Sequence, residues 1–383
     1  MRLQNALQPI LPRSNLAATL MAALMLTPKP VCSPLARRFL VLAAALTSGL
    51  VLAASPAYGV KAGSKASSTA EAAVICPAKP AMPTPAEMKA LAAQAQERGL
   101  LWRVTDSQSD GARASWLYGT MHVGKREWLM PGRSIVRAVQ GADQLALELN
   151  LLDPEVGKAL AEGLKARADA PPLAADLSQR LNRQLKLACA EDLVRLRPEA
   201  QILGLLAKTG SRQGLNAEYG VDITLAGMAY ALGKPITGLE AVQTQLNELV
   251  SDDPVEIAET VDDGLKQLED GMAPEMLQLL AQVWASGNVR KLENYADWCD
   301  CANTERERAQ LKRMIDGRNP GMADGIAALL KQDKTVFAAV GALHMVGPMG
   351  LPELLRQKGY RVERVEFTPL SLQKKPSKPM KTE

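Results

Sequence analysis

Histidine is the residue type that this chain contains least of: His122 and His344 are its only histidines among 383 residues. Zinc proteases of the HExxH class need two histidines on one turn of helix, and C2H2 zinc fingers need two histidines beside two cysteines. The sequence therefore excludes both classes. Aromatic residues are also rare, at 4%, but 47% of the chain is hydrophobic, which is enough for a buried core. Any histidine chemistry must use one or both of these two residues.

The chain also lacks three common catalytic or nucleotide-binding signatures. It contains no GxSxG, no GxxxxGK[ST] and no GxGxxG sequence. Serine hydrolases of the α/β type, P-loop NTPases and Rossmann enzymes consequently have no support in this sequence.

The N-terminal region has the composition of an export signal. Residues 1–70 contain seven Lys or Arg residues and no Asp or Glu, and Arg37 and Arg38 directly precede an apolar run over residues 39–54. Small residues follow the run, so residues 1–57 are predicted to be a secretory signal or export segment. The run is shorter than the ~20 residues of a membrane-spanning helix. An uncleaved membrane anchor over residues 39–54 is the alternative.

The charge of the mature chain argues against nucleic-acid binding. Cleavage after residue 57 removes five basic residues, which changes the formal charge from +4 to −1. A nearly neutral chain has no general electrostatic reason to bind nucleic acid. We therefore expect an exported protein, periplasmic or secreted, that acts on a small-molecule or peptide substrate. Contact with a membrane is expected only through an uncleaved N-terminal segment, and the oligomeric state stays open.

Composition divides the rest of the chain into three segments. Residues 58–81 are rich in Ala, Ser, Lys and Pro and are predicted to be a flexible linker. Residues 82–368 are predicted to form the folded domain, which begins with a helix that is capped by Thr84 and Glu87, runs to Arg98 and stops at Gly99. Residues 369–383 are basic and contain prolines, and they are predicted to be a disordered tail.

Hydrophobic patterns predict strands near both ends of this domain and helices between them. Two strands flank an Asp-Gly turn near residue 110, a third strand ends at Glu148 and a fourth ends at Glu240. A final strand-helix-strand unit closes the domain, and residues 172–332 otherwise show the Leu and Ala spacing of helices. The expected fold is α/β (α+β), with a mixed central sheet built from the N- and C-terminal segments, flanked by helices, and a largely helical middle region.

Four cysteines remain after the predicted cleavage, namely Cys76, Cys189, Cys299 and Cys301. An even number of cysteines in an oxidising compartment favours disulfides. Because a single residue separates Cys299 from Cys301, disulfide geometry disfavours a bond between them. Cys189 is therefore expected to bond with one of that pair. A metal site on the Cys-x-Cys sequence is the alternative, but it lacks nearby ligands.

Both histidines have the same local setting, three residues after a glycine and at the end of a predicted strand. They lie in the sequences GTMHVG at residues 119–124 and GALHMVG at residues 341–347. Glycine allows a sharp turn at a strand end, where α/β proteins place their sites. A neutral imidazole there can bind a metal ion or transfer protons near neutral pH. The alternative is that each histidine only forms hydrogen bonds within its own turn.

Longer segments of the chain resemble the TraB/GumN family. They are GTMHVG, LALELN, YGVDITLAGMAYALGKPITGLE, RNPGMADGI and VFAAVGALHMVGPMGLPELLRQKGYRV, in the order found in the family and over about residues 98–366. The family includes the TIKI proteases, which are membrane-associated metal-dependent peptidases, and it is considered related to the erythromycin esterase and ChaN haem-binding group. The long N-terminal extension and the Cys299 and Cys301 pair depart from the family pattern, away from the expected site.

The resemblance implies a site with the members His122, His344, Glu148, Glu240, Arg318 and Asn319. His122, His344 and Glu148 would hold a divalent metal ion such as Mn, Co or Zn. The expected catalytic residues are Glu148, Glu240 and Arg318: a carboxylate takes a proton from water, and the guanidinium steadies a substrate carboxylate or a developing oxyanion. Two structural alternatives stay open. Arg318 could form an ion pair with Glu148 or Glu240, and Glu240 could cap the helix beside it.

These residues lead to an expectation about function. The chain resembles an exported TraB/GumN protein that acts as a divalent-metal-dependent hydrolase on peptides or ester-like substrates. The alternative is a non-catalytic ligand-binding or regulatory module, with haem binding as one form of it. The shared scaffold does not decide between them, because related folds host different functions.

Overall fold

The computed structural model describes residue 74, residues 76–106 and residues 113–367. The predicted export segment over residues 1–57 and the predicted tail over residues 369–383 lie outside the described residues. In the described part of the chain, no helix is both long enough and apolar enough to cross a membrane.

The described strands are β1 (Leu100–Asp106), β2 (Ser115–Thr120), β3 (Gln144–Leu147), β4 (Ile236–Gly238), β5 (Val336–Gly341) and β6 (Tyr360–Val365). They form one mixed sheet in the order β4-β3-β5-β2-β1-β6. Strands β4, β3, β5 and β2 are parallel, whereas β1 pairs antiparallel with both β2 and β6. The predicted mixed sheet, built from both ends of the domain, is confirmed. The middle of the chain contributes only β4, at one edge.

Helices cover this sheet and make up most of the middle region, as predicted. They are α1 (Pro85–Ala93), α2 (Arg133–Gly141), α3 (Pro154–Leu164), α4 (Ala175–Leu187), α5 (Pro198–Lys208), α6 (Val221–Ala231), α7 (Val242–Leu249), α8 (Pro254–Glu269), α9 (Ala273–Ala285), α10 (Val289–Glu293), α11 (Glu305–Met314), α12 (Asn319–Leu330) and α13 (Leu351–Gln357).

Helix α1 begins with the predicted capping box. The Thr84 hydroxyl accepts a hydrogen bond from the N–H of Glu87, and the Glu87 carboxylate accepts one from the N–H of Thr84. The helix ends at Ala93, although the sequence predicts a helix up to Arg98. The Arg98 carbonyl instead accepts a hydrogen bond from the Tyr118 hydroxyl, which ties this segment to β2.

The buried apolar residues form two clusters. The larger cluster surrounds the sheet, and within it β5 is buried continuously from Val336 to Val340, as expected for a strand covered on both faces. The smaller cluster lies among α3, α4, α5, α7 and α8. A cavity lies between the carboxyl edge of the sheet and this helical cluster, because residues of both line it.

The predicted disulfide between Cys189 and one member of the Cys-x-Cys pair is wrong. Cys189 is bonded to Cys76, and Cys299 is bonded to Cys301, with Cα–Cα distances of 5.8 and 5.1 Å. Both distances are normal for disulfides. Cys299 can reach Cys301 because Asp300 between them adopts a left-handed backbone with φ 52°, which turns the chain sharply. With both sulfurs in a disulfide, the Cys-x-Cys metal alternative loses its thiolate ligands.

The described end of the predicted linker is attached to the domain by a disulfide and a hydrogen bond. The first is the disulfide from Cys76 to Cys189, which lies just after α4. The second is a hydrogen bond of 2.8 Å from the Tyr219 hydroxyl to the Ala81 carbonyl. These contacts hold the chain that leads into α1 against the helical region.

Candidate functional site

Four of the predicted site residues follow the carboxyl ends of the four parallel strands. Glu240 follows β4, Glu148 follows β3, His344 follows β5 and His122 follows β2. Because these strands are neighbours in that order, all four residues leave the sheet at the same edge. The carboxyl ends of parallel strands are where α/β proteins bind their ligands.

A carboxylate orients the ring of His122. Its Nδ1 lies 3.0 Å from Oδ2 of Asp222, in the first turn of α6, so Nδ1–H donates and Nε2 is left for another partner. Desolvation lowers the pKa of His122, but the charge and hydrogen bond of Asp222, together with the charge of Glu148, outweigh it and raise the pKa to about 9. The side chain is 63% exposed, so water screens part of this interaction.

An amide orients the ring of His344. The Nδ1 of His344 lies 2.7 Å from Oδ1 of Asn319, whose Nδ2 donates to the Met349 carbonyl at 2.7 Å. Because a carbonyl only accepts, this hydrogen-bond network assigns the amide oxygen to His344, which places the ring proton on Nδ1 and a lone pair on Nε2. Burial lowers the pKa of His344, so the ring is neutral near pH 7.

Glu148 is held by donors on three sides. Its Oε1 accepts from the Gly341 N–H at 2.8 Å, and its Oε2 accepts from Nη2 of Arg318 at 2.8 Å and from Nε2 of Gln245 at 3.3 Å. Burial raises the pKa of Glu148, but the two imidazoles, the guanidinium and the backbone N–H outweigh it and lower the pKa to about 2. The carboxylate is therefore ionised at neutral pH.

Gly341 allows Glu148 and His344 to lie next to each other. A Cβ built on this glycine would lie 3.2 Å from Oε1 of Glu148 and 3.4 Å from Cδ2 of His344. The carboxylate and the ring thus share the space beside the turn. Within the described residues Oε1 accepts one hydrogen bond. A carboxylate oxygen has two lone pairs, so one remains for a further partner.

Arg318 forms the ion pairs that the sequence left open as an alternative. Its Nη2 donates to both Glu148 and Glu240, its Nε donates to Glu240 at 2.9 Å, and its Nη1 donates to the Met314 carbonyl at 3.3 Å. Burial lowers the pKa of Arg318, but the two carboxylates outweigh it and raise the pKa. Glu240 does not cap the following helix, because the N-cap residue of α7 is Ala241 and makes no side-chain cap. The side chain of Glu240 bonds to Arg318 instead.

Three residues of the site were not identified from the sequence, namely Thr120, Asp222 and Gln245. Asp222 carries a recognisable signal, because it is the single acidic residue in the apolar helix α6. Gln245 donates to both Glu148 and Glu240, but an amide on a half-polar helix has no distinctive pattern. The hydroxyl of Thr120 is buried, and Oγ1 has no hydrogen-bond partner among the described residues.

A cavity of about 350 Å³ adjoins these residues. Its polar end is lined by Thr120, His122, Glu148, Asp222 and Arg318. The rest is lined mainly by leucine and alanine side chains of α3, α5 and the neighbouring segments. An apolar pocket with a few convergent polar groups is typical of a small-molecule site. Glu240 lines a separate hollow of about 360 Å³, which Arg318 also lines.

The donor set fits a metal ion only in part. Among the described residues, no three His, Cys, Asp or Glu side chains are grouped as a ready metal site. Each imidazole nevertheless donates from Nδ1 to an oxygen, which is the usual arrangement of metal-bound histidines. The Nε2 of His344 is free to bind an ion, whereas the Nε2 of His122 must first lose its proton, because the pKa of this ring is raised to about 9. Glu148 keeps one lone pair, but the positive charge of Arg318 beside it weakens its attraction for a second cation. The two histidines therefore fit a divalent ion better than the carboxylate does.

The comparison with known proteins identifies the family. The sequence pattern of the TraB/PrgY/gumN family matches residues 100–364, a range that includes every site residue described above. This chain belongs to the TraB/PrgY/gumN family. Similar proteins include the uncharacterized protein YbaP of Shigella flexneri and of Escherichia coli (strain K12). Each is 25% identical over 268 residues, which cover 67% of this chain and 92% of YbaP. No solved structure is significantly similar to the chain.

Proposed function

We propose that this TraB/PrgY/gumN-family protein is a hydrolase that uses a divalent metal ion such as Mn, Co or Zn, bound by His122 and His344. The observation that carries the proposal is the hydrogen-bond pattern that the two imidazoles share at neighbouring strand ends: each Nδ1 is bonded to an oxygen, and neither Nε2 has a hydrogen-bond partner among the described residues. When bound, the ion would supply the Lewis acidity that polarises a carbonyl group and activates water.

The protein side chains take distinct roles in this proposal. Asp222 and Asn319 fix the ring orientation of His122 and His344, which keeps both Nε2 atoms available. Glu148 lines the cavity, and it would balance the charge of the ion and orient a water molecule through the free lone pair of Oε1.

Arg318 and Glu240 act as positioning residues in this proposal. Arg318 holds Oε2 of Glu148, and Glu240 holds Arg318 from the other side. The proposal therefore replaces the oxyanion role expected for Arg318 and the proton-accepting role expected for Glu240. Most of the guanidinium donors are already used within the protein, and Glu240 is not among the residues that line the cavity at His122.

The proposed location is the periplasm or the exterior of the cell. The export signal expected over residues 1–57 supports this location, and so do the two disulfides, since disulfides persist mainly in oxidising compartments. Peptides and ester-like molecules are the proposed substrates, because a polarised carbonyl group is what such a site attacks.

Metal analysis of the purified protein, combined with a hydrolysis assay, tests the proposal. We expect about one equivalent of Mn, Co or Zn per chain, and turnover of peptide or ester substrates that a chelator abolishes and added metal restores. His122→Ala and His344→Ala should each lose the metal while unfolding cooperatively. Gln243→Ala, at an exposed position on α7, is the control and should keep both metal and turnover. Histidine variants that bind metal like the unmodified chain would contradict the site.

The apolar cavity favours one further candidate, a ligand-binding module without turnover. Such a protein would bind an apolar ligand but show neither hydrolysis nor a chelator effect. Haem binding is one form of this candidate, in which a histidine would be the iron ligand. A titration with haemin would then produce a sharp absorption band that His122→Ala or His344→Ala abolishes. The absence of any such band would remove the haem variant.

A further inference from the structure

We propose that the substrate of this site carries an unbranched acyl chain, which occupies the apolar arm of the cavity while its carbonyl group lies at the polar end. The apolar arm is the part of the cavity lined by Leu160, Leu164, Leu196, Ala200, Leu203 and Ala207. The inference rests on the proposed function for its reaction, but the binding that it describes can be measured without turnover.

The arm extends along helix α5. Ala200, Gly204 and Ala207 all line the cavity, and their spacings of four and three residues place them on the same face of the helix. Seven residues of α-helix rise on the order of 10 Å, so the arm is longer than the side chain of a leucine or a phenylalanine. Leu160 and Leu164, one turn apart on α3, also line the arm. A long arm lined by small and aliphatic side chains suits an extended hydrocarbon chain.

The polarity of the cavity defines the orientation of such a ligand. The residues that define the arm are all apolar, whereas His122 and Glu148 line the same cavity at the sheet edge, and Gln245, Glu248 and Arg318 are its other polar or charged lining residues beside Thr120 and Asp222. A hydrocarbon chain gains free energy in the arm and loses it among the charged groups. The functional group of the ligand must therefore lie beside His122 and Glu148.

Thr120 indicates what this functional group is. The residue is only 1% exposed, it lines the cavity, and Oγ1 has no hydrogen-bond partner among the described residues. A buried hydroxyl without a partner costs free energy, which a bound acceptor recovers. The carbonyl oxygen of an acyl group would accept the Thr120 proton once the chain fills the arm. This places the carbonyl carbon at the end of the cavity that His122 and Glu148 line.

The reaction that follows is hydrolysis of an acyl ester or an acyl amide. The oxygen of water bonds to the carbonyl carbon, and the bond from that carbon to the leaving oxygen or nitrogen breaks. One proton of the water molecule goes to the leaving group, which departs as an alcohol or an amine. The acyl chain is released as a carboxylic acid. This product carries the same hydrocarbon chain as the substrate, and it can therefore be used to measure binding to the arm without turnover.

The inference is tested by calorimetry of the full-length protein with a series of saturated carboxylic acids, from butanoate to hexadecanoate. Affinity should rise about fourfold for each added CH₂ group until the arm is filled, and then level off. Leu203→Glu places a charge in the arm and should weaken decanoate binding about tenfold or more. Leu187→Glu is the matched control: both leucines lie on neighbouring helices and are similarly exposed, at 39% and 47%, but Leu187 is not among the residues that line the cavity.

Affinity that does not depend on chain length would overturn the inference, and so would equal losses in the two leucine variants. Hydrolysis is measured separately with p-nitrophenyl esters and N-acyl peptides of the same chain lengths, which distinguishes the ester from the amide. Chain-length-dependent binding without hydrolysis supports the acyl arm and contradicts the hydrolase. Chelator-sensitive hydrolysis of short substrates, without chain-length dependence, contradicts the arm and supports the hydrolase.

Discussion

Thr120 lies opposite Gly341 in the parallel register of β2 and β5. His122 follows Thr120 by two positions and His344 follows Gly341 by three, so both histidine turns begin from one point on the edge of the sheet. Strand β3 is the other neighbour of β5, which places Glu148 beside them. The pairing of strands from distant parts of the chain, rather than any local motif, therefore assembles the candidate site.

The first prediction is that the two histidines titrate on opposite sides of the ordinary histidine pKa in the metal-free protein. At His122, desolvation lowers the pKa, but Asp222 outweighs it and the pKa is raised to about 9. At His344, burial lowers the pKa. Because the chain has only two histidines, NMR of the imidazole rings resolves both directly. Asp222→Asn should return the higher pKa toward the ordinary value of about 6.5.

Asp176→Asn is the control for this titration, because Asp176 lies in the first turn of α4 as Asp222 does in α6. It should leave both histidine titrations unchanged. Two rings that both titrate near pH 6.5 would show that Asp222 does not hold His122 in the way described.

The second prediction is that metal binding strengthens as the pH rises. His122 must lose its second proton before Nε2 can bind an ion, and its pKa is raised to about 9. Between about pH 6 and pH 8 the affinity should therefore rise about tenfold per pH unit, with one proton released per ion. In Asp222→Asn this dependence should level off at a lower pH. Calorimetry in buffers of different ionisation enthalpy measures both quantities, and binding independent of pH would count against His122 as a ligand.

Local sequence features were sufficient to predict the strand ends from which His122, His344, Glu148 and Glu240 follow, whereas Arg318 and Asn319 were expected from the family resemblance. The apolar runs before Gly119 and Gly341 define buried strands, and each glycine indicates a turn directly after them. These features depend on neighbouring residues only, so they can be recognised in the sequence. That Glu148 and Glu240 also end strands follows from the same kind of pattern.

Partners that come from distant parts of the chain could not be predicted in this way. Asp222 lies 100 positions from His122, and only the placement of α6 against the sheet edge brings them together. The pairing of Cys299 with Cys301 depends on the backbone of Asp300, whose left-handed conformation is uncommon for a residue other than glycine. The spacing of the cysteines alone favoured a bond from Cys189 to Cys299 or Cys301.

The third prediction concerns the two disulfides. The bond from Cys76 to Cys189 spans 113 positions, whereas the bond from Cys299 to Cys301 spans two. A longer closed loop restricts the unfolded chain more, so replacing the first pair by serines should lower the free energy of unfolding by about 3 kcal/mol more than replacing the second pair. Urea denaturation of the two double variants measures the difference. Peptide mapping without reduction that links Cys189 to Cys299 or Cys301 would refute the pairing.

The fourth prediction concerns the buried ion pairs of Arg318. Arg318→Gln leaves Glu148 and Glu240 buried without their cation, so the free energy of unfolding should fall by about 3–5 kcal/mol at neutral pH. The control is Arg313→Gln. The Arg313 side chain is 65% exposed and lies 3.9 Å from its nearest carboxylate, on Glu248, so its loss should change stability by less than about 0.5 kcal/mol. Denaturation of both variants in urea gives the comparison.

The same two variants also test how the free energy of unfolding depends on pH, and the direction of the expected change follows from the pKa of Glu148. In the unmodified chain the pKa of Glu148 is lowered to about 2 from an ordinary value of 4.5. Glu148 therefore stabilises the fold above about pH 4.5, and this contribution disappears as the pH falls toward 2. Without the guanidinium the pKa of Glu148 rises, so Arg318→Gln should lose less stability on acidification than the unmodified chain or Arg313→Gln. The free energies of unfolding of Arg318→Gln and of the unmodified chain, plotted against pH, should thus converge between about pH 5 and pH 2. Curves that stay parallel over this range would show that Arg318 does not control the pKa of Glu148.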